Sequence, residues 1–187
     1  MSISRVIVVA LLAVASAAAQ AETKKAAAPS AEGLGAYIGA GVGIPSVTYG
    51  SSSLAFKLFG GVRVHQFDID KAGKLDLAIQ GEYVDFGNSS AFGTSWTQSA
   101  VAVAAVGSWV IPRKWAPWAD EKVTILAKVG GSRVAYSSNH GSSFTATGLT
   151  HGVGADYSFT PQFSARAMVE YYPGSYNVYG VSGVFKF

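Results

Sequence analysis

Counting back from Phe187, residues Phe185, Gly183, Val181 and Tyr179 share one face of an alternating stretch, and Lys186, Val184, Ser182, Gly180 and Val178 share the other. Side chains of a β-strand point to opposite faces with period 2, whereas a helix repeats every 3.6 residues. The stretch from Ser175 to Phe187 therefore reads as a strand with one greasy, aromatic-tipped face. A terminal segment frays unless something ties it down. A closed barrel does so by pairing its last strand with its first, which leaves no open edge.

The same alternation recurs upstream. Strands are expected over Gly35–Ile44, Leu54–Val64, Leu75–Phe86, Trp96–Val110, Lys122–Val134, Thr145–Phe159 and Phe163–Tyr172, which with the last makes eight. Ile38, Val42, Phe56, Leu58, Leu77, Ile79, Val103, Ile125, Val153 and Val169 mark the apolar face. Turn-rich segments separate them: Pro45–Ser53, Gly87–Ser95, Ala135–Phe144 and Pro173–Ser175 at one end, and Asp68–Lys74, Ile111–Glu121 and Thr160–Gln162 at the other. An even number of strands of about ten residues with short connections implies an all-β, eight-stranded antiparallel up-and-down transmembrane β-barrel.

Alternation alone does not say which face looks inward, since a soluble eight-stranded barrel alternates too. Composition decides it. Charged residues make up 13% of the chain, against about 25% in an average soluble protein. The second face is mostly Gly, Ala, Ser and Thr with a few charges of both signs. A soluble barrel would carry scattered charge there. Eight strands leave a lumen that side chains fill, which suits small residues and balanced charges. The apolar face is therefore assigned to lipid. With both termini on the periplasmic side, Phe67, Trp109, Trp115, Trp118, Phe159, Phe163 and Phe187 fall near the inner rim, and Phe86, Trp96, Tyr136, Phe144, Tyr171 and Tyr176 near the outer rim. Two interfacial aromatic belts are expected of such a barrel. No basic stripe of the kind nucleic acid needs is present, and with no Cys there is no disulfide framework or thiolate metal site.

At the amino end Arg5 precedes an apolar run, Val6 to Ala15, and then Ala19-Gln20-Ala21 before Glu22. A positive start, a short apolar middle and small residues at a cleavage site are the layout of a secretory signal peptide. The chain thus divides into a signal peptide (1–21), a flexible periplasmic lead (22–34) and a barrel domain (35–187).

Several motifs then carry a resemblance. They are Gly35-Ala36-Tyr37-Ile38-Gly39-Ala40-Gly41-Val42-Gly43, Glu82-Tyr83-Val84-Asp85-Phe86-Gly87, Gly152-Val153-Gly154-Ala155-Asp156-Tyr157, Arg166 to Tyr172, and Gly183-Val184-Phe185-Lys186-Phe187. In this order and spacing the chain resembles the OmpA-like and opacity-type family of outer-membrane barrels over about Gly35 to Phe187. The resemblance implies that Tyr179, Phe185 and Phe187 form a signal read by the barrel-assembly machinery, and that the membrane is a bacterial outer membrane with its lipopolysaccharide.

Strand parity places Lys57, Arg63, Asp76, Glu82, Lys128, Asp156, Arg166, Glu170 and Lys186 in the lumen, five basic and four acidic groups. Unpaired charge in a dry interior costs several kcal/mol, so a salt-bridge network is expected, centred on Glu82 and Lys128 with Arg166 and Glu170 nearby. It either plugs the lumen or gates ions by exchanging partners. The three histidines, His65, His140 and His151, fall at different levels and no motif links them to a serine and an acid, so neither catalysis, a metal nor a cofactor is expected. Ser-, Gly-, Asn- and Tyr-rich outer loops sit where host surfaces or phage would meet them. The expected role is a structural, surface-exposed barrel with a plugged polar lumen. The alternatives are a narrow pore or carrier for small solutes and an adhesin.

Overall fold

A computed structural model describes residues 35–46, 51–69, 73–91, 94–117, 121–174 and 176–187. The export segment and lead expected before Gly35 lie outside the described residues, as do Trp118 and Ser175.

The strands are β1 (Ala36–Ser46), β2 (Ser51–Ser52), β3 (Ala55–Ile69), β4 (Gly73–Ala91), β5 (Thr94–Val110), β6 (Val123–Ser138), β7 (Ser143–Ser158), β8 (Phe163–Tyr172) and β9 (Tyr176–Lys186). Eight of them form one antiparallel ring in the order β1, β3, β4, β5, β6, β7, β8, β9. β9 then closes on β1 from Tyr37↔Lys186 to Ser46↔Asn177. β2 is a two-residue ladder that pairs Ser51 with Ser90 and Ser52 with Ser89. Both described ends, Gly35 and Phe187, lie at one end of the ring, here the terminal end, with the 69–73, 110–123 and 158–163 connections. The other three connections and the β1–β3 crossing form the loop end.

The strands outrun their expected limits at the loop end. Gly87–Ser95 and Ala135–Phe144, expected as loops, are largely strand: β4 reaches Ala91, β5 starts at Thr94, β6 reaches Ser138 and β7 starts at Ser143. Gly87 does not stop β4. It sits at a register shift between Asp85 and Gly87 with φ 71°, and its N–H donates to Asp85 Oδ1 at 2.8 Å. An added residue in a left-handed glycine conformation is a β-bulge, which bends the ladder without ending it. Beyond it the Ser- and Asn-rich residues remain strand because each finds a partner, such as Asn88 opposite Thr97.

The apolar face looks outward. Val103, Leu149, Val153 and Val181 are exposed, while Gln80, Glu82 and Lys128 are buried. The lumen is more apolar than its small residues imply. Val84, Phe86, Ala100, Val134, Tyr136, Tyr172 and Val178 form one buried cluster toward the loop end. Ala78, Val106, Leu126 and Met168, with Tyr37 against them, form a second toward the terminal end. Phe86 and Tyr136, expected in the outer aromatic rim, thus fill the lumen, and Trp96 packs against the same cluster. Their even positions on β4, β5 and β6 match the inward residues Glu82, Gln98 and Lys128. Parity, and not height along the strand, sets where they point. The inner rim holds, with Phe67, Trp115, Phe159, Phe163 and Phe187 exposed on the outer wall. Phe185 ties this girdle together, 4.8 Å from Phe163 and 5.0 Å from Phe187 between ring centroids.

Candidate functional site

Between the two apolar clusters lies a layer of charge. Five of the ring strands supply it from inward positions: Lys57 from β3, Gln80 and Glu82 from β4, Lys128 from β6, Asp156 from β7, and Arg166 and Glu170 from β8. Glu82 Oε1 accepts from Lys128 Nζ at 2.6 Å and from the Tyr172 hydroxyl at 2.8 Å. Its Oε2 accepts from Gln80 Nε2 at 2.9 Å and lies 3.1 Å from Lys57 Nζ. Glu170 receives both Lys57 and Lys128. The two lysines and two glutamates thus form a closed square. This saturation is what makes the burial tolerable, since a buried ion must recover in hydrogen bonds what it loses in hydration.

Arg166 is held separately. It clasps Asp156 through Nε–Oδ1 at 2.8 Å and Nη2–Oδ2 at 3.0 Å, a two-pronged geometry that suits a guanidinium. Gln80 links the two groups, because its Oε1 accepts from Arg166 Nη1 at 3.2 Å and from the Tyr37 hydroxyl at 2.9 Å. The Phe59 ring lies 5.1 Å below Lys57 Nζ and 5.0 Å below the Arg166 guanidinium carbon, within cation–π range. The tally is Lys57, Lys128 and Arg166 against Glu82, Glu170 and Asp156, so the layer is neutral.

Glycines make room for these rings. Gly39 faces Phe59 and Gly61 faces Tyr37 across the β1–β3 ladder. A Cβ on Gly39 would lie 2.2 Å from Phe59 Cζ, and one on Gly61 2.5 Å from Tyr37 Cζ. Each ring therefore lies flat on bare backbone opposite.

The expected luminal residues divide into two groups. Lys57, Glu82, Lys128, Asp156, Arg166 and Glu170 come together in the layer. Arg63, Asp76 and Lys186 do not reach it. Arg63 lies 3.4 Å from Asp76, and Lys186 donates to Ser158 Oγ at 3.2 Å, both nearer the terminal end. Gln80, Tyr37, Tyr172 and Phe59 were not among the expected site residues. Parity alone would have placed Gln80 and Phe59 inside, but uncharged residues draw no attention in a search for charge. Tyr179, Phe185 and Phe187 all lie on the outer wall of β9 and beyond its end.

The histidines stay apart from this layer. His65 stacks edge-on against Phe67 at 4.3 Å, His151 lies face-on to Tyr171 at 4.8 Å, and His140 is in the exposed β6–β7 turn. Among the described residues no cluster of three His, Asp or Glu could hold a metal ion.

With this geometry the comparisons with known proteins agree on architecture. The fold is similar to the N-terminal β-barrel domain of Pseudomonas aeruginosa OprF, with a TM-score of 0.57 and 13% identity, covering 82% of this chain and 98% of that one. It is similar to Neisserial surface protein A, with a TM-score of 0.53 and 17% identity over 82% and 96% of the two chains. A major outer membrane protein from Thermus thermophilus aligns with a TM-score of 0.50 and 10% identity, over 82% and 99%. At these identities the likeness speaks for the fold alone. No curated protein matches in sequence. The family model described as outer membrane protein beta-barrel domain matches residues 7–183. The chain is thus an eight-stranded, surface-exposed outer-membrane barrel and belongs to that OmpA-like family.

Proposed function

We propose that this protein is a structural barrel of the outer membrane whose lumen is a plug and whose loop end serves contacts at the cell surface. The observation that carries the reading is the absence of room at the charged layer. The void beside Lys57, Arg166 and Glu170 measures about 10 Å³, roughly the space that a single water needs. A hydrated ion needs far more. The apolar cluster on the loop side reinforces the seal, because charge crossing it would be stripped of water. The neutral square of lysines and glutamates acts as a latch that holds opposite walls in register.

In this reading the loop end faces outward, the terminal end faces the periplasm, and no chemistry is performed. Tyr179, Phe185 and Phe187 present the assembly machinery with an aromatic edge on the strand that closes the ring. Host or phage surfaces and lipopolysaccharide are the partners that the loop end would meet.

Planar-bilayer recordings test the plug. The refolded protein should show no steady conductance, and Glu82→Ala and Lys128→Ala should differ from it only by brief, irregular openings. A stable open channel in the parent protein, altered in unit conductance by either substitution, would establish the pore reading instead.

A further inference from the structure

The lumen is filled by side chains at the charged layer but hollow at the terminal end. There the ring encloses a blind cup of about 240 Å³, to which all eight ring strands contribute. Leu126 and Val106 line its wall, and the Arg166–Asp156 pair forms its floor. At about 30 Å³ per liquid water, the cup accommodates a small ion with part of its hydration shell.

Its lining carries Arg63, Arg166 and Lys186 together with Asp76 and Asp156, and Phe187 stands at its rim. Arg166 and Asp156 satisfy each other at 2.8 and 3.0 Å. Arg63 meets Asp76 only loosely, at 3.4 Å, and Asp76 already accepts from Gln66 Nε2 at 2.6 Å. Lys186 is the least satisfied of the three cations. Among the described residues it has no carboxylate within ion-pair distance, and its hydrogen bond is to the Ser158 hydroxyl at 3.2 Å. An ammonium carries three donors, so donors remain for a ligand, in a half-enclosed site where charge acts more strongly than in open water.

The cations are also arranged around space. Lys186 pairs with Tyr37 on one side of β1, and the Arg63 N–H bonds to the Gly35 carbonyl on the other at 3.0 Å. Gly35 has no side chain between them, and a Cβ there would lie 3.0 Å from Arg63 Nη2. Ser108 and Thr124 add hydroxyl donors from β5 and β6.

We infer that this cup binds a small oxyanion, a carboxylate or a phosphate, between Lys186, Arg63 and the Ser108 and Thr124 hydroxyls. The inference does not depend on the lumen being plugged.

The test is a titration of the chain refolded in detergent micelles, followed by backbone amide NMR at constant ionic strength, with inorganic phosphate in one arm and acetate in the other. Saturable shifts are expected at Arg63, Ser108 and Lys186. Saturation by phosphate alone assigns a phosphate ligand, and saturation by acetate assigns a carboxylate. Lys186→Gln should weaken binding by about tenfold and Ser108→Ala by about threefold. Lys122→Gln, an exposed cation at the same rim, should leave it unchanged. If Lys186→Gln does not refold, Ser108→Ala decides. No saturation with either anion, parental binding in Lys186→Gln, or equal loss in Lys122→Gln would overturn the inference.

Discussion

Glu82 is the residue on which the charged layer turns, because it accepts from Lys128, Tyr172 and Gln80 and faces Lys57. Glu82→Ala leaves two buried ammonium groups sharing Glu170 alone. Removing one partner of a buried pair costs about 3–5 kcal/mol, so the urea midpoint of the refolded barrel should fall sharply. Adding Lys128→Met to Glu82→Gln should cost less than the sum of the two single losses, since neighbours in one network are not additive. An additive result would mean that the two groups do not interact. Gly39 tests packing in the same way. Gly39→Val places a side chain where Phe59 already lies, and overpacking of this kind costs about 1–3 kcal/mol. Combined with Phe59→Ala it should lose less than the separate effects together. Parity made Lys57, Glu82, Lys128 and Glu170 legible as inward residues, yet it could not say that Arg166 would choose Asp156. That choice depends on how strands are staggered around the ring: Asp156 stands directly opposite Arg166 across β7–β8.

At the scale of elements, β9 and the hairpins carry separable properties. Phe185 contacts Phe163 and Phe187 on the outer wall. Phe185→Ser should lower stability in micelles by only about 1–2 kcal/mol, the worth of such aromatic contacts and their burial. If the aromatic edge is read during assembly, the folded fraction in cells should fall much further, by several-fold. Equal losses in both settings would assign Phe185 a packing role only. The β6–β7 hairpin ends in a tight exposed turn at Asn139 and His140. An epitope inserted after His140 should leave the barrel folded and be reached by antibody on intact cells. Labelling only after permeabilisation would reverse the orientation. These hairpins look like loops in the sequence because Ser, Gly and Asn weaken a strand. Pairing with a neighbour overrides that weakness, and the bulge at Gly87 keeps the ladder intact.

Among the described residues the eight long strands close into a ring in which each pairs on both sides, apolar outside and layered within. Such a ring unfolds as a unit, since opening any seam exposes backbone donors and acceptors that lipid cannot satisfy. The unboiled protein should therefore migrate on a denaturing gel differently from the boiled one. A single position under both conditions would contradict a closed barrel. Weakening the seam between β1 and β9 should remove the shift at lower temperature than a substitution on the loop-end hairpins, where the strands extend beyond the layers that fill the lumen.

Period-2 alternation, low charge and an even run of short segments were enough to determine strand number, antiparallel order and which face meets lipid. Those properties are local, for each residue reports its face through its neighbours two positions away. The depth of each luminal side chain, the square of lysines and glutamates, and the cup beneath Lys186 were decided only in three dimensions. Each depends on the shear between strands distant in sequence, and no single segment encodes how far it slides against the next.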